Sequence, residues 1–281
     1  MAGRRRARAR PLQWWRSRRR VPASGGLGAC FALGKPAPLS YRRTLCRSWV
    51  RIAGEALVWV LTNDDGIDAP GIRALQQAVG NQGALVAPQA RLSGCGHQVT
   101  TQAPIALQPR SASEYSVAGT PADCVRLAIK ALDLEVEWVL SGINAGGNLG
   151  VDTYASGTVA AVREAATLGV PGVALSQYVR PQAAIDWMAA QQRAAAVLAE
   201  LGRRSLPPGG FWNVNLPHPA PGSPEPQLVF CPPSTQPLPV QYRAWGNQYY
   251  YTGDYSQRDH APGTDVDVCF SGDIAVTQLQ L

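Results

Sequence analysis

Lysine is almost missing from this chain: of 281 residues only Lys35 and Lys130 are lysine, and arginine carries the rest of the positive charge. That bias points to GC-rich coding more than to a physical demand. Acidic residues are absent before Glu55, where thirteen arginines and one lysine sit. The remainder holds 12 basic and 19 acidic residues, a net charge of −7 against +7 for the whole chain. The body is therefore acidic, and the overall basicity implies no nucleic-acid surface on it. None of the six cysteines forms a CxxC pair and their scatter outlines no disulfide framework, which argues against a zinc knuckle and for a reducing, cytoplasmic setting. No run reaches the roughly 18 apolar residues that a membrane-spanning helix needs. No repeat of about 20 to 50 residues is visible either.

What is present falls into two parts. Residues 1–54 are a basic leader, "MAGRRRARARPLQWWRSRRR" followed by a Gly, Ala and Pro-rich stretch. A twin-arginine signal around Ser17-Arg18-Arg19, an organelle transit peptide, and a disordered leader or over-long start are its three readings. The last is favoured because an apolar run begins abruptly at Leu57, although Met1 and Met188 are the only methionines and a start there would need another codon. Residues 55–281 form the body. Short apolar runs at 56–62, 83–88, 136–142, 170–176 and 211–217 read as buried strands. Helical patterns cover 70–79, 120–132, 156–169 and 183–202, with Pro70 at a helix start and Thr120 and Asp123 set as cap and third position. This alternation predicts an α/β fold: a Rossmann-like, mostly parallel sheet with helices on both faces. Residues 218–265 change character, and "VQYRAWGNQYYYTGDYS" predicts an antiparallel hairpin or arm for subunit contacts.

Ligands of open α/β sheets bind beyond the carboxyl ends of the strands. The first strand ends in Asn63-Asp64-Asp65-Gly66, the second runs into the loop carrying Ser93, the third ends in "SGINAGGNLG" with Asn144, and the fourth ends at Ser176. Adjacent carboxylates repel unless a cation offsets them. Asp64 and Asp65 with the neutral oxygens of Ser93 and Asn144 make a hard set suited to one Mg²⁺ or Mn²⁺ per subunit. The helix beginning near Ser156-Gly157-Thr158 offers backbone N–H groups and hydroxyls to a phosphate. Metal beside phosphate cradle implies phosphoryl chemistry, with Asp64 and Asp65 as catalytic candidates; one holds the ion while the other accepts a proton or attacks, and both orders remain open. Each motif alone has a plainer explanation. "DDG" is a common turn, His97 an ordinary loop histidine, and Asp123 a helix-start charge. Their joint placement after separate apolar strands is what favours the site.

At these residues the chain resembles the SurE family of metal-dependent 5′-(3′-)nucleotidases. The resemblance spans about 56–281 and rests on "LTNDDGIDAPGI", "GHQVT", "GTPADCV", "SGINAGGNLG", "SGTVAA", "PGTDVD" and "IAVTQLQ". It implies hydrolysis of nucleoside monophosphates and a homodimer or homotetramer built partly by exchanged C-terminal arms. It carries metal ligation onto Asp64, Asp65, Ser93 and Asn144, and phosphate contact onto Asn63, Gly94, Ser156, Gly157 and Thr158. The chain departs from the family pattern at Gln89 and Leu92 in the serine loop, where Arg91 stands one place early, and at Ala155, where Tyr154 is displaced by one. A broad-range phosphatase or exopolyphosphatase is the alternative enzyme, and a nucleotide-binding regulator without turnover the alternative from another class. Adjacent rather than alternate aspartates argue against a haloacid-type aspartyl phosphatase.

Overall fold

A computed structural model describes residues 58–281 except 133 and 221. The basic leader and its competing readings lie outside the described residues. The order of elements is β1 (Val58–Thr62), α1 (Pro70–Ala78), β2 (Ala84–Pro88), β3 (Leu107–Pro109), β4 (Glu114–Val117), α2 (Pro121–Lys130), β5 (Val136–Ala145), α3 (Gly157–Thr167), β6 (Gly172–Gln177), α4 (Trp187–Leu201), β7 (Gly210–Leu216), β8 (Leu228–Phe230), β9 (Tyr242–Trp245), β10 (Gln248–Tyr251), α5 (Asp265–Ser271) and β11 (Ile274–Gln280).

Nine strands form one sheet in the order β3-β4-β2-β1-β5-β6-β7-β11-β8. The six from β4 to β7 run parallel. At one edge β3 is antiparallel to β4; at the other, β11 is antiparallel to β7 and carries β8 parallel to itself. Of the six parallel strands, β1, β2, β5, β6 and β7 are largely buried on both faces, which explains their mostly apolar sequences. In β1, Leu61 packs on the face covered by α1 and α4, while Val60 packs on the face covered by α2 and α3. Chain direction across the sheet reverses between β1 and β5, so the open crevice of this fold lies beyond the ends of those two strands.

Local chemistry sets the boundaries. Thr120 and Asp123 make the expected reciprocal capping box of α2. The fourth helix begins later than its apolar pattern predicts, because Asp186 caps the amides of Met188 and Ala189 and leaves 183–185 outside it. Gly71 of the proline-glycine pair is fixed by packing: a Cβ there would stand 1.9 Å from the carbonyl oxygen of Ile143, so only glycine lets α1 start against β5. The third predicted strand extends past Gly142 to Ala145; the Gly142–Ile143 peptide is cis, and pairing with β6 resumes at Asn144 opposite Ser176. Of residues 218–265, Leu228–Phe230 joins the main sheet, and β9 with β10 makes a separate two-stranded ribbon. Its Tyr242, Trp245, Tyr249, Tyr250 and Tyr251 are all exposed.

Candidate active site at the switch of strand order

The turn after β1 is closed by Asn63. Its side-chain amide donates to the Gly66 carbonyl at 2.8 Å and its Oδ1 accepts the Gly66 N–H at 3.2 Å. Asn63 is thus buried, with its Oδ1 and one of its two Nδ2 hydrogens engaged in the turn. The turn it closes presents the two aspartates in different ways. Asp64 points into the protein, 4% exposed, and accepts a 2.5 Å hydrogen bond from the Thr158 hydroxyl. Asp65 points to the crevice, where Oδ2 accepts the Ala145 amide at 3.1 Å and Oδ1 lies 3.2 Å from Nε of Arg91.

Of the other predicted residues, Thr158 and Gly157 touch Asp64, and Ser93 and Asn144 are linked to Asp65 through Arg91 and the Ala145 amide. Nε of Arg91 also donates to the Ser93 hydroxyl at 2.8 Å, so one guanidinium ties the serine loop to Asp65. The Leu92 amide donates to the Asp64 carbonyl at 2.7 Å and anchors the loop from its other side. Asn144 precedes the amide that holds Asp65, and its own Nδ2 donates to the Gly146 carbonyl at 2.9 Å, leaving Oδ1 without a donor among the described residues. Ser156 caps α3 by accepting the Val159 amide at 3.1 Å. Gly157 lies against Asp64: a Cβ there would come within 2.8 Å of both the Asp64 Cβ and the Cys95 Sγ. Helix α3 can therefore end on Asp64 only with glycine at this position. Gly94 is exposed in the serine loop with open space above its Cα.

Burial pushes the Asp64 carboxyl above its usual range and the charge of Asp65 pushes the same way, against the Thr158 hydrogen bond. Two close carboxylates with so few donors carry more negative charge than the protein itself offsets. No three His, Cys, Asp or Glu residues gather as a metal cluster among the described residues. A cation here would bind two carboxylates and neutral side-chain oxygens, the set preferred by Mg²⁺ or Mn²⁺, and the free Oδ1 of Asn144 fits that demand.

Several supporting residues were not legible as such. Asn148 lies under the glycine loop, where its amide donates to Asn215 at 2.8 Å, its Nδ2 donates to Ser176 at 2.8 Å, and its carbonyl accepts from Asn213 and Asn215. Asp265 of "PGTDVD" accepts the Gly150 amide at 2.6 Å, and Arg258 and Tyr255 both hold Asp152 ahead of α3. These contacts join residues 28 to 115 positions apart, and no periodicity announces them.

A family profile described as Survival protein SurE matches residues 59–235. A Nostoc sp. protein that carries the name of a candidate 5′-nucleotidase is 60% identical over 223 residues, covering 79% of this chain and 99% of its own length. The 5′-nucleotidase SurE of Moorella thermoacetica is 35% identical over 237 residues, covering 79% of this chain and 89% of its own. Among solved structures, the SurE protein from Aquifex aeolicus superposes with a TM-score of 0.69 at 29% identity, over 79% of this chain and 92% of its own.

Proposed function

This chain belongs to the SurE family, and on that premise we propose that it is a 5′-nucleotidase, a divalent-metal-dependent phosphomonoesterase that releases phosphate from nucleoside monophosphates. The observation that carries the reading is the convergence of Asp64, Asp65, Ser93 and Asn144 at the strand-order switch, directly beneath the amino end of α3.

Residue roles follow from the geometry. The free backbone N–H groups at the start of α3 face the phosphate, and the helix dipole adds to their attraction. Thr158 fixes the orientation of Asp64, so that its remaining lone pairs have one direction. Asp64, Asp65, Ser93 and Asn144 would hold the metal, which supplies positive charge to the phosphoryl oxygen and to an attacking water. Asp65, held by Ala145 and nearer the crevice than Asp64, is the acid we assign to receive the water's proton. The water oxygen bonds to phosphorus, the bond to the ribose oxygen breaks, and the proton ends on the nucleoside hydroxyl. The preorganised carboxylates and amides require little rearrangement during this step. The exposed aromatic ribbon supports self-association as a homodimer or homotetramer, which sizing of a protein lacking residues 240–256 tests directly.

The deciding assay is phosphate release from a panel of 5′- and 3′-nucleotides, p-nitrophenyl phosphate and short polyphosphate, with Mg²⁺ or Mn²⁺. Strong release from 5′-nucleotides, abolished by chelation and restored by Mn²⁺, is expected. AMP binding without release would instead favour a regulator, and uniform rates across the panel a broad phosphatase.

A further inference from the structure

The serine loop, residues 89–100, is fastened by an ionic cluster around one buried carboxylate, outside the proposed metal site. Glu164 of α3 is 2% exposed. Its Oε1 receives Nε of Arg126 from α2 at 2.6 Å, and its Oε2 lies 2.7 Å from Nε2 of His97 in the loop. A buried carboxylate needs compensation, and Arg126 already supplies a full charge to it. The contact with Arg126 joins two helices that pack together in any case. The contact with His97 does something different, because it ties the loop that carries Ser93 to the helix whose first turn carries Thr158 and touches Asp64. A second tie, from the Gly96 amide to the Ala155 carbonyl at 3.1 Å, joins the same loop to the residue just before the cap of α3. Loop, helix and aspartate turn thus form a closed triangle, with Leu92 bonded to Asp64 as its third side.

We propose that Glu164 is a positioning residue for the reaction: acting through His97, it sets the distance between the serine loop and Asp64 and thereby the geometry of the oxygen set around the cation. The proposal rests on the functional reading above for its catalytic meaning, while its structural content can be measured without turnover. Cys95 provides the measurement. It sits between Ser93 and His97, half-buried, with its sulfur against the Asp64–Gly157 contact. Its accessibility reports opening of this loop and nothing remote.

The full chain is labelled with N-ethylmaleimide, and modification of each cysteine is followed by peptide mass. Cys231, half-buried in another part of the molecule, is the internal control. In His97→Ala the rate at Cys95 should rise about tenfold or more, the scale of losing one charge-assisted hydrogen bond, while Cys231 stays as in the wild type and the thermal midpoint falls by only about a few degrees. In His97→Gln, which restores an N–H donor toward Glu164, the rate should return most of the way. Glu164→Gln should raise it less than His97→Ala does, since an amide oxygen still accepts from the imidazole. With AMP as substrate, His97→Ala should also need several-fold more Mn²⁺ for half-maximal rate, with a smaller change in kcat. Unchanged labelling of Cys95 in His97→Ala, or a rise matched at Cys231, overturns the proposal. Absence of AMP hydrolysis by the wild type would overturn the functional reading instead and leave the labelling result to judge the loop.

Discussion

The serine loop rests on two buried aspartates, one near each end, and they are treated in opposite ways. Asp123, at the far end, accepts the Thr100 amide at 2.8 Å, the Thr100 hydroxyl at 2.7 Å and the Thr120 amide at 3.0 Å. Burial alone would raise its carboxyl, yet the donors of Thr100 and Thr120 outweigh burial and hold it below the usual range. Asp64, at the near end, has one side-chain donor and a like-charged neighbour, and burial with that neighbour holds its carboxyl above the usual range. A carboxylate saturated with N–H and O–H donors is a structural part, because nothing is left for a ligand to add. A buried carboxylate kept short of donors carries an electrostatic deficit that a bound cation can remove. The same residue type, under the same loop, therefore separates what holds the fold from what does the chemistry.

Replacing each aspartate tests that separation, and the largest effect is expected at the donor-poor end. Asp65→Asn and Asp64→Asn should each lower kcat for AMP by about a thousandfold or more, the loss of several kcal/mol of metal-borne stabilisation. The thermal midpoint should hold or rise, since removing one of two repelling charges relieves the folded state. A variant that loses both activity and fold would erase the contrast. At the other end, Asp123→Ala should destabilise the protein by about 2–4 kcal/mol in urea unfolding, through the lost capping box and the orphaned amides of Thr100 and Thr120. Its activity per folded molecule should fall far less than that of Asp65→Asn.

The contrast also has a pH signature. A carboxyl whose folded-state pKa is depressed adds stability that is fully present above its unfolded value and is lost as pH falls through the folded one. Asp123 is such a group, so the stability gap between wild type and Asp123→Asn should be widest near neutrality. It should shrink as pH drops below about 4, where the unfolded-state aspartate begins to bind its proton. Urea midpoints of both proteins across that range measure it. A gap that stays constant would mean that shape, not charge, explains the role of Asp123.

The two ends were unequally legible in the sequence. Asp64 and Asp65 stand out because they interrupt an apolar strand, and Thr120 with Asp123 because a capping box is local. The parallel strands β1, β2, β5, β6 and β7 announce themselves by burial on both faces. The short strands β3, β4 and β8 do not: they have three or four residues each, and β3 is largely solvent-facing, so neither alternation nor a long apolar run marks them. The start of α4 is masked because Ala183, Ala184 and Ile185 look helical until Asp186 takes the cap. His97 and Glu164 are 67 residues apart, and each alone is unremarkable; only the packing of loop on helix makes them a pair. Asn63 shares the motif of the aspartates, and its Oδ1 and one Nδ2 hydrogen close the Gly66 turn, a local bond that the fixed spacing of Asn63 and Gly66 allows.

The smallest expected effect lies at Arg91, where the chain departs from its family pattern. Its side chain is 66% exposed, and one Nε is shared between Asp65 at 3.2 Å and Ser93 at 2.8 Å. An exposed pair of this kind contributes about 0–1 kcal/mol, so Arg91→Ala should lower kcat/KM for AMP by less than about fivefold. Its positive charge also sits where a cation would bind Asp65, so removing it relieves a repulsion that partly offsets the lost tie. The Mn²⁺ requirement should therefore change little or fall. A loss of a hundredfold in kcat/KM with an unchanged Mn²⁺ requirement would mean that Arg91 reaches the phosphate itself. That result would move it from bracing the loop to binding the substrate, and would extend the donor-poor end of the comparison by one residue.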